Sequence, residues 1–288
     1  MNEETVKAED KQQQPTRMST AHSRELGEEL RRVRHRARMS SGSVAEALGW
    51  SLGKLSKLET GSRGTGSWDI ATLLGRCGAD KPSRDRVMAL AVEQDTGNFL
   101  RMHGQLPDTL AALSVHERAA ATITTYEPLA IPNLAQTEDY AHALTGDAAI
   151  ARTRIGRQQQ MGPSRPRTVF YIHEAALRLP VGSREVMRDQ LLHLTLMCGW
   201  ARTTLRIVPM TGRSHTVLRS PATLLTFDAP IRPLAYTEAE AATIFHDAPD
   251  AVAAYQHKMR HLDAVALDLE ESRQLLARWA NAYDHQAA

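Results

Sequence analysis

Residues 39–61 read MSSGSVAEALGWSLGKLSKLETG, and this stretch decides how the N-terminal part of the chain folds. Ser40 and Ser51 can each cap a helix, because a serine hydroxyl accepts a hydrogen bond from a backbone N–H two or three residues further on. Gly49 lies between them and supplies the positive-φ residue that ends the first helix. Leu55 and Leu58 then face inward on the second helix. The stretch predicts two short helices joined by a tight turn.

Apolar residues with helical spacing continue on both sides of this pair. Leu26, Leu30 and Val33 precede it, and Ile70 and Leu73 follow it. Each set forms one face of an amphipathic helix that must be buried against its neighbours. Together they predict a compact, all-helical N-terminal domain.

The outward face of the second helix of the pair is small and basic. With Leu55 and Leu58 directed inward, the opposite surface consists of Leu52, Gly53, Lys54, Ser56 and Lys57. Between His22 and Arg63 nine Lys or Arg residues stand against five acids, whereas between Leu234 and Asp284 four bases stand against nine acids. This asymmetry indicates that a polyanion meets the N-terminal part of the chain. Double-stranded DNA fits, since its major groove admits a helix.

Residues 24–79 resemble the Xre/Cro type of helix-turn-helix regulator, which has a lambda-repressor-like fold. The resemblance implies that Leu52–Glu59 is the recognition helix, that Arg34 and Glu59 form a salt bridge inside the domain, and that phosphate contacts come from the start of the preceding helix. Two residues depart from the family. Leu52 stands where Gln or Arg, which can bond base edges, is frequent, and this favours an apolar contact such as one with a thymine methyl group. Arg38 stands where Gly often ends a helix, which implies either a shifted turn or an added phosphate contact.

These observations define a predicted DNA-binding surface. Its members are Arg38, Ser40, Ser41, Ser43, Ser51, Leu52, Gly53, Lys54, Ser56, Lys57 and Arg63. A single helix-turn-helix unit offers few contacts, so we expect a homodimer on an inverted repeat.

The remaining chain has a mixed pattern. The runs TITTY, TVFYIH, TTLRIV and ATLLTF, which begin at residues 122, 168, 203 and 222, are rich in β-branched and aromatic residues and predict strands. Helical stretches lie between and after them. The sequence therefore predicts a multidomain chain with four segments. These are a disordered arm over residues 1–21, a helix-turn-helix domain over 22–80, a connecting helix and linker over 81–110, and an α+β regulatory domain over 111–288.

Residues 125–141, TYEPLAIPNLAQTEDYA, resemble a segment that marks the actinobacterial WhiJ-like regulators. That resemblance implies control of development or secondary metabolism, often with a small partner protein encoded nearby in an antitoxin-like arrangement. Tyr126, Glu127 and Gln136 lie in this segment. They are either packing and turn residues of the second domain or the lining of an effector or partner site. The input is then a small acidic protein or a small molecule.

Other classes of function find little support in the sequence. The two cysteines are far apart, and the histidines match no metal-binding spacing, so neither a disulfide, a metal site nor a cofactor is expected. No arrangement of catalytic residues is apparent, so an enzyme is not expected. The absence of a long apolar run and the polar N-terminal segment predict a cytoplasmic protein without a membrane segment. The predicted DNA binding would place it at the nucleoid. An enzyme or protein-interaction module with an accessory DNA-binding head is the alternative.

Overall fold

The N-terminal part of the chain is a bundle of five helices. The computed structural model describes residues 19–62, 66–160, 166–210 and 218–285. The helices of this bundle, here called the head, are α1 (Ala21–Arg36), α2 (Ser41–Ala47), α3 (Leu52–Glu59), α4 (Ser67–Arg76) and α5 (Lys81–Ala91). Their buried faces meet in one core that contains Leu30, Val44, Leu55 and Leu73. The predicted helical domain with its helix-turn-helix pair is thus confirmed.

The boundaries of the head differ from those expected. Val87 and Leu90 of α5 are buried in the head core, so α5 is part of the head and not a connecting helix. At the other end, Thr20 caps α1 by accepting a hydrogen bond from the Ser23 backbone N–H, and Ala21 is fully buried. Residues 19–21 are therefore ordered. The rest of the expected disordered arm, residues 1–18, lies outside the described residues.

The C-terminal part, here called the body, is built on a seven-stranded mixed sheet. The strands are β1 (Asn98–Met102), β2 (Thr122–Glu127), β3 (Arg167–His173), β4 (Thr203–Val208), β5 (Ala222–Thr226), β6 (Leu234–Glu238) and β7 (Ala242–His246). Their order is β1-β7-β6-β5-β2-β3-β4, with β2, β3 and β4 parallel and the other pairs antiparallel. The segment over residues 81–110, expected to be a connecting helix and linker, instead contains β1, which pairs with β7 at one edge of the sheet.

Helices cover both faces of the sheet. The body helices are α6 (Thr109–Ala119), α7 (Glu138–Thr145), α8 (Ala148–Gln160), α9 (Glu174–Arg178), α10 (Arg184–Met197), α11 (Pro249–Val265) and α12 (Leu269–His285), with a 3-10 turn at Asn133–Ala135. Residues of α6, α10 and α12 pack on the face that carries Ile123 and Leu225. Residues of α11 pack on the opposite face, which carries Tyr126 and Leu224. The predicted fold class, an all-helical head followed by an α+β domain, is confirmed.

Head and body meet at a buried cluster of charges, here called the seam. Arg101 of β1 is fully buried and donates to Glu25 of α1 at 2.8 and 3.0 Å. His116 of α6 also contacts the Glu25 carboxylate, at 3.2 Å. The backbone N–H of Ala21 donates to Asp247 at 2.7 Å. The first turns of α1 thus belong to the seam, while its later turns belong to the head core.

Candidate nucleic-acid interface

The two helices of the predicted motif begin with the same local device. The Ser40 side chain accepts from the Ser43 backbone N–H at 3.0 Å, and the Ser51 side chain accepts from the Lys54 backbone N–H at 3.1 Å. Gly49, between the helices, has a φ of 62°. A left-handed glycine after a helix followed by a serine cap sets the turn that orients α3 relative to α2.

The back of α3 is held against α1 by close contact and by an ion pair. A Cβ atom added to Gly27 of α1 would lie 2.6 Å from the Glu59 carbonyl oxygen, so only glycine allows the two helices to approach this closely. Arg34 donates to both carboxylate oxygens of Glu59, at 2.6 and 2.8 Å, and to the Met39 carbonyl at 3.0 Å. The hydrogen bond to Glu59 raises the pKa of Arg34, although burial opposes it. Both charged side chains are less than a tenth exposed, so the pair positions α3 and does not face a ligand.

The front of α3 is open to solvent. Leu52 is 60% exposed, and Gly53, Ser56 and Lys57 are exposed as well. Ser40 and Ser43, at the start of α2, are exposed on the neighbouring helix, with Ser41 partly buried between them. The start of α2 and the outer side of α3 are thus both exposed, and α3 packs against α1 and α2 through its other side.

Lys54 does not have the position predicted for it. Its ammonium group lies 2.8 Å from the Asp69 carboxylate of α4 and 4.1 Å from the centroid of the Trp50 ring. The side chain is only a quarter exposed. Its charge is therefore used to join α3 to α4 and to Trp50, and Lys57 is the lysine of α3 that faces solvent.

The backbone at Arg38 explains the second departure from the family pattern. Its φ of 55° is left-handed, so the turn after α1 is not shifted and an arginine takes the conformation that favours glycine. Arg38 is exposed, two residues before the cap of α2. The other arginine predicted beside the surface, Arg63, lies outside the described residues.

Trp68 was not predicted as part of any surface. It is the second residue of α4 and is 82% exposed, the largest exposure among the large apolar side chains of the described residues. Its neighbour Asp69 is the partner of Lys54. The signal was available in the sequence, because Trp68 falls outside the buried stripe of Ile70, Leu73 and Leu74.

The three predicted effector residues do not form one site. Tyr126 is fully buried and its hydroxyl donates to the Leu218 carbonyl at 2.9 Å. Gln136 is 1% exposed. Its side-chain amide N–H donates to the Ile131 backbone carbonyl at 2.7 Å, and its side-chain amide oxygen accepts from Arg154 at 3.0 Å. Both have packing roles, and Tyr126 lies on the opposite face of β2 from Glu127.

Of the three predicted effector residues, only Glu127 lines a small cleft in the body. The cleft lies at the end of β2 and β6, where Glu127 and Glu238 approach Asn133 and Thr237. Asn133 donates to Glu238 at 2.8 Å. Burial, and next the charge of Glu238, raise the pKa of Glu127 to about 8. The Glu127 carboxyl, with its raised pKa, thus lies in the same cleft as the Glu238 carboxylate, which accepts a hydrogen bond from Asn133.

The described residues contain neither a candidate membrane span nor a candidate metal site. None of the helices within the described ranges is both long enough and apolar enough to span a bilayer. Likewise, no three His, Cys, Asp or Glu side chains in that part of the chain are grouped so as to hold a metal ion.

Comparison with known protein families divides the chain at the same place as the structure does. A helix-turn-helix domain family matches residues 25–87, a span that reaches into α5. A second family, described as a domain of unknown function (DUF5753), matches residues 110–278 and so most of the body. No curated protein matches the chain.

Proposed function

This chain belongs to the DUF5753 family and carries a helix-turn-helix domain in its head, and from that premise we propose that it is a sequence-specific DNA-binding transcriptional regulator. One observation carries the proposal. The recognition helix α3 is fixed from behind by a buried Arg34–Glu59 ion pair, while Leu52, Ser56 and Lys57 in front of it are exposed. A rigid helix with a small, partly basic outer face fits the major groove.

The finer parts of the proposal concern how the head is used. The likeness of residues 24–79 to the Xre/Cro type supports phosphate contacts from Ser40, Ser41 and Ser43 and from Arg38. We propose that the protein acts as a homodimer on an inverted repeat, at the nucleoid in the cytoplasm. Two heads would then occupy half-sites about 34 Å apart.

The body is proposed to be a sensor and not an enzyme. The likeness of residues 125–141 to the WhiJ-like regulators supports an antitoxin-like arrangement in which a small acidic protein binds the body, in control of development or secondary metabolism. A small molecule is the second candidate input. The seam offers a route for either signal, because α1 contributes Glu25 to the body contact and Arg34 to the support of α3.

Selection from random DNA duplexes tests this proposal. The full-length chain is incubated with the duplex pool, bound DNA is sequenced, and an inverted repeat is expected to be enriched. Lys57→Glu reverses an exposed charge of α3 and should abolish enrichment. Lys81→Glu, at an exposed lysine on α5, is the matched control and should retain it.

The outcomes separate the parts of the proposal. No enrichment by the unaltered protein contradicts DNA binding. Enrichment of a single asymmetric site contradicts the dimer but not the regulator. Equal enrichment by the Lys57→Glu variant and the unaltered protein removes α3 from the interface.

A further inference from the structure

Gly53 is a glycine that the protein's own packing does not require. It is the second residue of α3, where glycine disfavours a helix relative to alanine. Apart from its chain neighbours and the backbone of its own helix, the nearest atom to a Cβ added at this position is the Ser51 hydroxyl oxygen, at 3.9 Å. At Gly27, by contrast, the same addition would place the atom 2.6 Å from the Glu59 carbonyl. The space in front of Gly53 is open in the free protein.

Leu52, the residue before it, is an apolar side chain left in solvent. It is the first residue of α3 and is 60% exposed. The lysine that follows the pair, Lys54, is held by Asp69 and Trp50. The exposed start of the recognition helix therefore consists of one apolar side chain and one residue with no side chain. We call Leu52 and Gly53 the tip of α3.

We propose that the tip enters the major groove and packs against thymine methyl groups, with Gly53 as the point of closest approach to the duplex. This inference rests on the proposed function. Glycine is used where a backbone must come close to a ligand, and the residues at the start of a recognition helix contact base edges. Leu52 has no donor or acceptor in its side chain, and the thymine 5-methyl is the apolar group that base edges present in this groove.

The neighbouring residues complete a division of roles along α3. Ser56 and Lys57 lie one turn further on and are exposed, and they offer a hydroxyl and an ammonium group. Such groups bind phosphates or polar base edges. The tip therefore contributes the apolar part of recognition, and each half-site is expected to carry thymine opposite Leu52.

Binding to duplexes that differ by methyl groups tests the inference. The selected operator is compared, by fluorescence anisotropy with the full-length chain, with duplexes in which single thymines are replaced by uracil, which lacks the 5-methyl group. At the position facing Leu52 we expect about a fourfold loss of affinity, as for uncovering one methyl group. In the Leu52→Ala variant that loss should disappear, because the contacting side chain has been removed.

A pair of glycine variants tests the close approach. Gly53→Ala should weaken operator binding on the order of tenfold, since the added methyl group holds the duplex away from the helix. Gly75→Ala is the matched control, because Gly75 also lies in a helix with nothing within 4 Å of an added Cβ atom. Both variants should melt at or above the temperature of the unaltered protein, but only Gly53→Ala should lose affinity.

Failure of this inference differs from failure of the proposed function. Suppose that the unaltered protein binds every uracil duplex as tightly as its operator, and that Gly53→Ala binds the operator as tightly as the unaltered protein. The proposed contact between the tip and thymine is then overturned, while the proposal of a DNA-binding regulator stands. If the unaltered protein enriches no DNA, both are overturned.

Discussion

The ammonium group of Lys54 lies 2.8 Å from the carboxylate of Asp69, and this contact separates the roles of the two lysines of α3. Lys57, one turn later, is exposed. A lysine that is paired and stacked on Trp50 positions the helix, whereas an exposed one can neutralise a phosphate.

The two lysines should therefore differ in a salt titration of operator binding. Lys57→Ala should lower the slope of log affinity against log salt by about 0.9, because one phosphate contact is lost. Lys54→Ala should leave the slope unchanged while lowering the melting temperature, because the link from α3 to α4 and Trp50 is removed. A slope that changes only in Lys54→Ala would show that Lys54 leaves Asp69 for the duplex.

A second prediction concerns Arg38, whose φ of 55° is unfavourable for a residue with a side chain. Arg38→Gly should stabilise the head by about 1 kcal/mol, since the strain of the left-handed conformation is relieved. The same change should weaken operator binding and lower the salt slope, because an exposed arginine beside α2 is lost. Thermal unfolding and salt titration measure the two effects.

Arg38→Asn is the useful comparison. Asparagine tolerates the left-handed conformation and carries no charge. Arg38→Asn should therefore weaken operator binding as Arg38→Gly does, and it should stabilise the head by a smaller amount. If neither variant changes binding, Arg38 has no phosphate contact.

A third prediction concerns the seam. Arg101→Met leaves Glu25 and Glu93 without their fully buried partner, and loss of one member of a buried ion pair costs about 3–5 kcal/mol. The thermal unfolding of the full-length variant should begin at a clearly lower temperature. Arg273→Met is the control, because Arg273 and its partner Glu270 are both more than half exposed. Equal melting of the two variants would contradict a structural role for the seam.

Local signals in the sequence were enough to predict the two helices of the helix-turn-helix motif. Ser40, Gly49 and Ser51 act through hydrogen bonds and dihedral angles within a few residues, so the two helices and their outward faces follow from the sequence. The ion pair of Lys54 does not follow from local sequence, because its partner Asp69 lies 15 residues away on another helix. The sequence shows that a lysine is charged, but its contact partners depend on the tertiary fold.

The same limit applied to the body. β2, β3, β4 and β5 were predicted because runs of Thr, Val, Ile and aromatic residues favour strands. The sequence NFLRM of β1 falls in the segment predicted as a connecting helix and linker, and in β1 the buried residue is the charged Arg101. The charge of that buried arginine is paired, since Glu25, 76 residues earlier, accepts two of its hydrogen bonds and Glu93 accepts a third. Long-range charge pairs of this kind leave no local pattern.

The last prediction concerns the pH dependence of stability at the Glu127 cleft. Burial and the charge of Glu238 raise the pKa of Glu127 from about 4.5 to about 8. The folded protein therefore binds this proton more tightly than the unfolded chain does. The contribution of Glu127 to stability is most favourable below about pH 4.5 and declines as the pH rises through about 8.

Glu127→Gln removes this titration and keeps the shape of the side chain. Its melting temperature should nearly match that of the unaltered protein at pH 5 and exceed it at pH 8.5, by about 2–4 °C for each kcal/mol relieved. Glu240→Gln, at an exposed carboxylate just after β6, is the control, and its melting temperature should differ from that of the unaltered protein by the same amount at both pH values. A Glu127→Gln variant that gains stability equally at both pH values would show that the Glu127 carboxyl is ionised throughout. The raised pKa would then be wrong, and the cleft would hold two charged carboxylates that only the neighbouring Arg154 and Lys258 could balance.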